Sequence, residues 1–566
     1  TAAVSPLEVS ASDGQLRLAG TLPAHAAVSL AVLIPAQRAD LAARLDPARL
    51  RADTAAYWDA VLAPAMQVQT PDPFLNEVIR ASQVRCLIAA RNEAGGARIA
   101  PWIAAMSYGP LESEANAVIR GMDFMGHGEF ARRSHDFFIH RYNTNGFLTT
   151  GYTTFGTAWQ LWTLGEHYQL HRDANWLSRV APEILRVTDW IIRQTEKTRR
   201  PAAGPASPGA AGNPEYGLMP PGVMADWNSF ACHFAMNAYY YAALREVGHA
   251  IADLPADRGG RRSAYLLDRA AELRANLLRA YRWTQAQSPV LPLRDGTWIP
   301  HYPSQVHSPG KLADFFPGQD AGRSWCYDVE LGAHQLIPTA VLDPRSREAG
   351  RMLDHMEDVQ FLAEGWFDYP AAQNALDWFN LGGFSKVQPY YTRNCEVYAL
   401  RDDVKPFLRS YCNALASLLN PEVLTFWEHF HHSGAWDKTH ETGYFLHQTR
   451  TLLVTERGRE LWLAPFTPAH WLADGQALTV RNAPTRFGPV SYTLRSRLAD
   501  GWVHATIQPP EREAPHRIVL RLRTPDGSAI RSVRVNGRRH HDFAPAEGLV
   551  RLSPSRAPLD LEIRLR

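Results

Sequence analysis

The sequence predicts a mainly α chain with β structure at both ends, on three observations. Residues 71–458 carry about twelve segments whose apolar residues recur at helical spacing. From Arg459 the pattern changes to short alternating runs separated by Asp-Gly and Asn-Gly pairs. Ahead of the helices, residues 1–38 hold strand-like runs punctuated by Gly20 and Pro23. At 566 residues the chain exceeds what one hydrophobic core supports, so more than one domain is expected.

In the N-terminal β segment, Leu16-Arg17-Leu18 and residues 27–34 read as strands. Two or three strands do not make a stable sheet alone, so they are expected to finish a larger sandwich or to lie on the rest of the chain. Residues 39–70 read as a helical linker carrying Tyr57-Trp58. Helices are expected near 74–91, 112–125, 129–141, 154–171, 175–198, 230–249 and 264–281. Shorter ones follow near 329–336, 345–356, 396–399, 404–419 and 442–454. The loops at 200–228, 288–323 and 364–388 are rich in Gly, Pro and aromatics, and loops of this length tend to carry function. In the last segment, 459–566, strands are expected around Asp474-Gly475, Asp500-Gly501, Asp526-Gly527 and Asn536-Gly537, giving an antiparallel β-sandwich.

Composition excludes several classes. Lys+Arg at 59 against Asp+Glu at 57 leaves a formal charge of +2, so no electrostatic case exists for nucleic acid. No run approaches the ~20 apolar residues that cross a bilayer, so no membrane insertion is expected. The five cysteines (Cys86, Cys232, Cys326, Cys395, Cys412) lack C-x-x-C spacing, which argues against a zinc or dithiol site. His429 and His432 share a helical face if that stretch is helical, but solvated histidines are the commoner case, so neither metal nor cofactor is expected. Phosphate-loop, G-x-S-x-G and H-E-x-x-H motifs are absent. The 17 Trp, 20 Tyr and 22 Phe suit either sugar stacking or a large helical core. The chain starts at Thr1, which fits a processed or trimmed product.

Three local phrases carry a resemblance. One is Asn145-Gly146-Phe147-Leu148, then Gly165-Glu166-His167-Tyr168 and Arg172-Asp173-Ala174-Asn175-Trp176-Leu177. Another is Gly217-Leu218-Met219-Pro220-Pro221-Gly222 before Asp226-Trp227. The third is Trp436-Asp437 with Glu441-Thr442-Gly443-Tyr444-Phe445. With twelve helices followed by a sandwich, the chain resembles the six-hairpin glycosidase superfamily, which includes α-L-rhamnosidase-like and glucoamylase-like enzymes. The resemblance implies an (α/α)6 toroid over 71–458, an active site at its mouth, and a bacterial secreted or periplasmic glycoside hydrolase acting on a plant or microbial oligo- or polysaccharide. An exo-acting, pocket-shaped site is expected because long loops can close a toroid's mouth.

Glycoside hydrolysis uses one carboxyl to protonate the leaving oxygen and another to activate water or attack the sugar. The densest acidic segment is Phe426-Trp427-Glu428-His429, then Trp436-Asp437-Lys438-Thr439-His440-Glu441. Apolar neighbours raise a carboxyl towards the range of a general acid. The structural alternative is a first-turn charge at a helix start capped by Thr439 or Thr442. Tyr108-Gly109-Pro110 leads to Glu112 and Glu114, which open the next helix; Glu112 either faces the mouth or belongs to an acidic first turn. Asp226 sits beside Trp227, and Asp328 follows Trp325 by three residues in Ser324-Trp325-Cys326-Tyr327-Asp328, with helix capping as the competing role of each. Arg323, Lys386 and Arg393, near Tyr390 and Tyr391, would grip a carboxylated sugar or pair with local acids.

The expected acid/base pair is Glu441 with Asp226, Asp328 or Glu428. Trp227, Trp325, Trp427 and Trp436 would shape the pocket, and Tyr108, Glu112, Arg323, Lys386, Tyr391, Arg393 and His440 would contact sugar. One alternative is a polysaccharide lyase, with Tyr390, Tyr391, His429 or His440 as base and Arg393 neutralising a uronate. Another is a glycan-binding protein without turnover.

Overall fold

The computed structural model describes residues 8–12, 15–21, 24–25, 46–142, 146, 155–199, 213–224, 227–257, 259–316, 328, 330–360, 388–429 and 434–566. They fall into two compact units divided between Ala63 and Pro64. In the first, β1 (Glu8–Ser12) pairs antiparallel with β2 (Gln15–Ala19). The same unit holds α1 (Pro47–Leu62), which starts where Asp46 accepts from the Ala48 amide and Pro47 occupies the first turn. The strand expected at 27–34 lies outside the described residues.

The second unit opens with β3 (Gln67–Gln69) and α2 (Pro73–Ala89), whose N-cap Asp72 accepts from Leu75. There follow α3 (Glu112–Phe124), α4 (Gly128–Arg141), α5 (Phe155–His171), α6 (Ala174–Lys197), α7 (Phe234–Ile251) and α8 (Arg261–Gln285). The series continues with α9 (Arg347–His355), α10 (Asn394–Arg401), α11 (Val404–Leu418) and α12 (Thr439–Leu453). Of the expected helix at 329–336, the described part holds a 3-10 turn, Ala333–Leu336. The helix expected from residue 230 starts at Phe234, because Trp227–Ala231 pairs as a strand with Gly222–Met224.

Burial separates the helices into two sets. Every residue of α3 and of α12 is buried, which suits helices surrounded on all sides. In α6 the buried residues instead form one stripe: Trp176, Leu177, Val180, Ala181, Ile184, Val187, Thr188, Ile191, Ile192 and Thr195. That i, i+3/i+4 spacing marks a helix with one face inward and the other in water. Along the chain the enclosed segments α3, α5, α7, Ala333–Leu336, α10 and α12 alternate with α4, α6, α8, α9 and α11. The enclosed helix α5 lies against both α3 and α7, the 3-10 turn lies on α7, and α12 lies on α3 and α10. The circuit closes where Gln335 Nε2 donates to the Tyr391 carbonyl at 3.0 Å, just ahead of α10.

The two innermost helices touch backbone to backbone. A Cβ on Gly121 of α3 would meet the Gly443 carbonyl oxygen of α12 at 2.2 Å, and one on Gly443 would meet the Ala117 oxygen at 2.3 Å. Side chains on either glycine would push the helices apart.

The C-terminal strands form two sheets. They are β4 (Val454–Arg457), β5 (Glu460–Leu463), β6 (Ala477–Ala483), β7 (Val490–Arg497), β8 (Trp502–Gln508), β9 (Arg517–Arg521), β10 (Ile530–Val535), β11 (Arg538–His540), β12 (Phe543–Ala544), β13 (Leu549–Leu552) and β14 (Leu559–Leu565). One sheet runs β4-β5-β9-β13-β12, the other β11-β10-β14-β8-β7-β6-β3. In β14, Leu559, Leu561, Ile563 and Leu565 point into the core while the residues between them do not, the period-2 signature of a half-buried strand. Asn536 (φ 49°) and Gly537 (φ 75°) make the two-residue turn from β10 to β11, where only residues tolerant of positive φ fit. The purely antiparallel arrangement expected from sequence needs correction, because β5 and β9 pair in parallel. β3, from the segment read as a linker, adds an edge strand to the seven-stranded sheet. Arg521 of β9 grips Asp402, just past α10, through two bonds of 2.7 Å, tying sheet to helices.

Candidate active site

The N-terminal ends of the enclosed helices gather the acidic residues. The loop before α12 is held by backbone bonds: Glu428 N to Ala435 O (2.8 Å), Lys438 N to Phe426 O (2.8 Å) and Thr439 N to Ile103 O (2.8 Å). It turns back sharply at Gly434, where φ is 78° and a Cβ would meet Glu428 and His429 at under 3 Å, so glycine is required there. The outcome is that Glu428 faces Lys438 and the first turn of α3.

Lys438 is buried, with its Nζ 2.8 Å from Glu428 Oε1 and 3.2 Å from Glu114 Oε2. Its ammonium also lies 4.4 Å from the Tyr108 ring centroid. Burial opposes the lysine charge, but Glu114 and Glu428 outweigh it and hold the ammonium above its ordinary range. Burial likewise opposes ionisation of Glu428, and Lys438, His429 and the Ala435 amide more than offset it, keeping this carboxyl below the usual range. The Tyr108 hydroxyl donates to Glu428 Oε2 at 3.1 Å, and Tyr108 remains 36% exposed. Tyr391 donates to Glu114 Oε1 at 3.3 Å. An ionised carboxylate with a semi-exposed phenol beside it therefore stands at this end of the helices.

Glu441 sits deeper, at 0% exposure, with Oε2 2.9 Å from His440 Nδ1 and no hydrogen-bond partner on Oε1. Burial raises its carboxyl despite the opposing pull of His440 and Lys438. The His440 ring lies between Tyr391 (4.6 Å) and Tyr444 (5.0 Å). Glu112 is also buried, against Gly156 of α5, whose missing side chain makes room for its methylenes. Trp427 is half-buried and Trp436 is 43% exposed.

Asp328 lies near the start of the fourth enclosed segment. Ser304 Oγ approaches its Oδ1 at 2.5 Å and the Leu312 amide donates to Oδ2 at 2.7 Å. Burial pushes this carboxyl up to about 7, against the pull of those bonds. A short path joins this segment to the other acids. Glu330 accepts from the Gln388 amide, Gln335 reaches both the Glu330 and Tyr391 carbonyls, and Tyr391 reaches Glu114.

Arg393 departs from the sequence expectation. It is 2% exposed, forks onto Glu396 at 2.5 and 3.0 Å, and donates to Tyr239 at 2.7 Å. Glu396 also takes Arg120, which in turn holds Glu166. The guanidinium is thus committed to a buried ion network beside a cavity of about 680 Å³, lined also by His447, Arg450 and Trp462 from the sheet-facing side. A carboxylated sugar would have to compete with Glu396 for it. Asp226, Arg323, Trp325 and Lys386 lie outside the described residues. Trp227 is described only as the first residue of its strand.

Reading the sequence missed Lys438 as the central cation and passed over Glu114 in favour of Glu112. The available signal was an acidic pair two residues apart, only one of which can face α12 in a given turn.

No protein-family model matches the chain, and no curated protein does. Among solved structures, it aligns with an α-L-rhamnosidase from Dictyoglumus thermophilum at 8% identity and a TM-score of 0.49, over 88% of this chain and 50% of that one. A GH78 family rhamnosidase of Bacillus sp. GL1 aligns at 9% identity and 0.45, over 76% and 40%. A bacterial glucoamylase complexed with acarbose aligns at 10% and 0.43, over 73% and 62%. The chain thus spans about half the length of the first of these proteins. The alternation of enclosed and outer helices described above stands on the chain's own helix order and burial.

Proposed function

We propose that the chain is a glycoside hydrolase built on an (α/α)6 toroid, cleaving an oligo- or polysaccharide by two-carboxylate chemistry at the N-terminal end of the enclosed helices. The observation that carries this reading is Glu428: a buried, ionised carboxylate held by Lys438 and bonded to the partly exposed Tyr108, through which it meets the surface. In this role Glu428 activates water or attacks the sugar, steps that require an unprotonated group. The partner must keep its proton near neutral pH. Asp328, pushed up to about 7, meets that requirement among the described residues. Asp226 is the other candidate. Glu441, sealed beside His440, then supports the site from below. Half-exposed Tyr108, Trp427 and Trp436 supply faces for a sugar ring.

The test is a panel of plant and microbial oligosaccharides, with the product anomer followed by NMR. Turnover is expected in the wild type, with loss of roughly three orders of magnitude or more in Glu428→Gln at unchanged fold. Turnover by Glu428→Gln at the wild-type rate would sink the assignment. A lyase reading is disfavoured, because Arg393 is already held by Glu396. Ultraviolet absorbance from an unsaturated uronate product would reinstate it.

A further inference from the structure

At the other end of α3 and α5 lies a second cluster that the proposed hydrolysis does not use. His167 and His171 are one turn apart on α5, so both rings leave the same face. Both meet Asp123 of α3: His167 Nδ1 is 3.0 Å from Asp123 Oδ2, and His171 Nε2 is 2.7 Å from Oδ1. Asp123 lies about 16 Å along α3 from Glu112, at 1.5 Å per residue, so the cluster is remote from the acidic rim.

Two further observations concern what the cluster is built to hold. His135 of α4 is buried with no hydrogen-bond partner on Nε2, and its ring centroid is 5.4 Å from that of His167. Gly128, the first residue of α4, lies so close to His171 that a Cβ would meet the ring at 2.4 Å. The imidazole is thereby seated against backbone. His171 remains 30% exposed while Asp123 and His167 are at 3%, so there is an entry from solvent to an otherwise enclosed set.

We propose that Asp123, His167 and His171 form a binding site for a divalent cation of the zinc class. Two imidazole nitrogens and one carboxylate are a donor set that such ions favour, and three protein ligands leave a fourth position for water. In a tetrahedral site with bonds near 2.0–2.1 Å, neighbouring donors stand roughly 3.4 Å apart. Opening the present N···O separations of 3.0 and 2.7 Å to that spacing takes about 0.4–0.7 Å of side-chain movement. On binding, each ring directs the lone pair of the nitrogen now facing Asp123 at the ion and keeps one N–H on its other nitrogen: a neutral ring shifts tautomer, and an imidazolium releases one proton to solvent. The ion would clamp two adjacent enclosed helices at the end away from Glu428. The competing structure is a metal-free clamp in which Asp123 simply accepts from both rings.

The test is a Co²⁺ titration of the full chain after chelator treatment. One ion per chain, with the intense visible absorption of a four-coordinate site and a raised melting temperature, is the expected result. His171→Gln and Asp123→Asn should each abolish the stoichiometric absorption. Binding that persists unchanged in His171→Gln, or no stoichiometric binding to the wild type, overturns the site. If either variant fails to fold, X-ray absorption of the zinc-loaded wild type decides: two imidazole shells with oxygen support the site, and sulfur donors or fewer than two imidazoles overturn it.

Discussion

The Lys438 ammonium stands 2.8 Å from Glu428 Oε1 in a setting that is almost wholly buried, and the same ammonium reaches Glu114. One cation thus balances two carboxylates brought together from opposite ends of the helical region. Replacing it with an apolar side chain leaves two like charges facing each other without compensation. Lys438→Met is therefore expected to lose about 3–5 kcal/mol at neutral pH. The sign with pH follows from Glu428, whose folded pKa is depressed. Its contribution to stability is present above the ordinary glutamate value and fades as pH falls through the folded one. The gap between wild type and Lys438→Met should accordingly shrink in denaturant melts taken at acid pH. An equal gap at both pH values would show that the lysine acts through packing alone. Where activity is measurable, the acid limb of the pH–rate profile should move upward in the variant.

The Arg120–Glu396–Arg393 network makes a complementary prediction. Glu396 is the acceptor for both arginines, and Glu166 serves only Arg120. Glu396→Gln removes the anion and leaves two buried guanidiniums against each other. A loss of about 3–5 kcal/mol is expected in chemical denaturation. Because the network is separate from the rim, KM for a cleaved sugar should stay within about twofold of the wild type where the variant is folded. A selective rise in KM would return Arg393 to the substrate site.

How much of this was legible in the sequence depends on the range of the interaction. α6 announced itself because its apolar stripe is local, and β14 because Leu559, Leu561 and Ile563 alternate. The Asn536-Gly537 turn was readable for the same reason, since its backbone demands are met within two residues. β3 was not readable: three residues, Gln67-Val68-Gln69, carry no strand pattern, and only pairing with β6 more than 400 positions away makes them a strand. The acidic rim was half legible. Glu428 and Glu441 stood out among tryptophans and histidines, but the partner of each is chosen by tertiary placement. Arg393 looked like a ligand residue because its acceptor Glu396, three residues on, was equally free to face elsewhere.

The approach of α3 to α12 rests on Gly121 and Gly443. Gly443→Ala places a methyl 2.3 Å from the Ala117 oxygen, which neither helix can vacate without moving the Glu114–Lys438 contact. A cost of roughly 1–3 kcal/mol or more is expected in thermal melts. The comparison is Gly475→Ala in an exposed turn, where nothing lies within 4 Å of the added carbon. There the only penalty is the positive φ of 77°, worth about 1 kcal/mol. A Gly443→Ala cost no larger than that of Gly475→Ala would mean the helices adjust freely.

Asp328 separates stability from catalysis. Burial pushes its carboxyl up to about 7 in the fold, against about 3.9 in an unfolded chain. Between those values the folded state binds the extra proton, so this residue costs increasing stability as pH rises from about 4 to 7. Asn has the shape of the protonated acid and can accept from the Leu312 amide while donating to Ser304. Asp328→Asn should therefore fold, and the stability difference should shift in its favour by an amount on the order of 1 kcal/mol for each pH unit in that window. Beyond the window the difference should level off. If Asp328 is the proton donor in glycoside cleavage, the same variant loses turnover while gaining stability, and substrates whose leaving group needs no protonation should be affected least. Parallel pH curves for the two proteins would show that the carboxyl is ionised in the fold at neutral pH, and the donor would then have to be sought in Asp226 or Glu441.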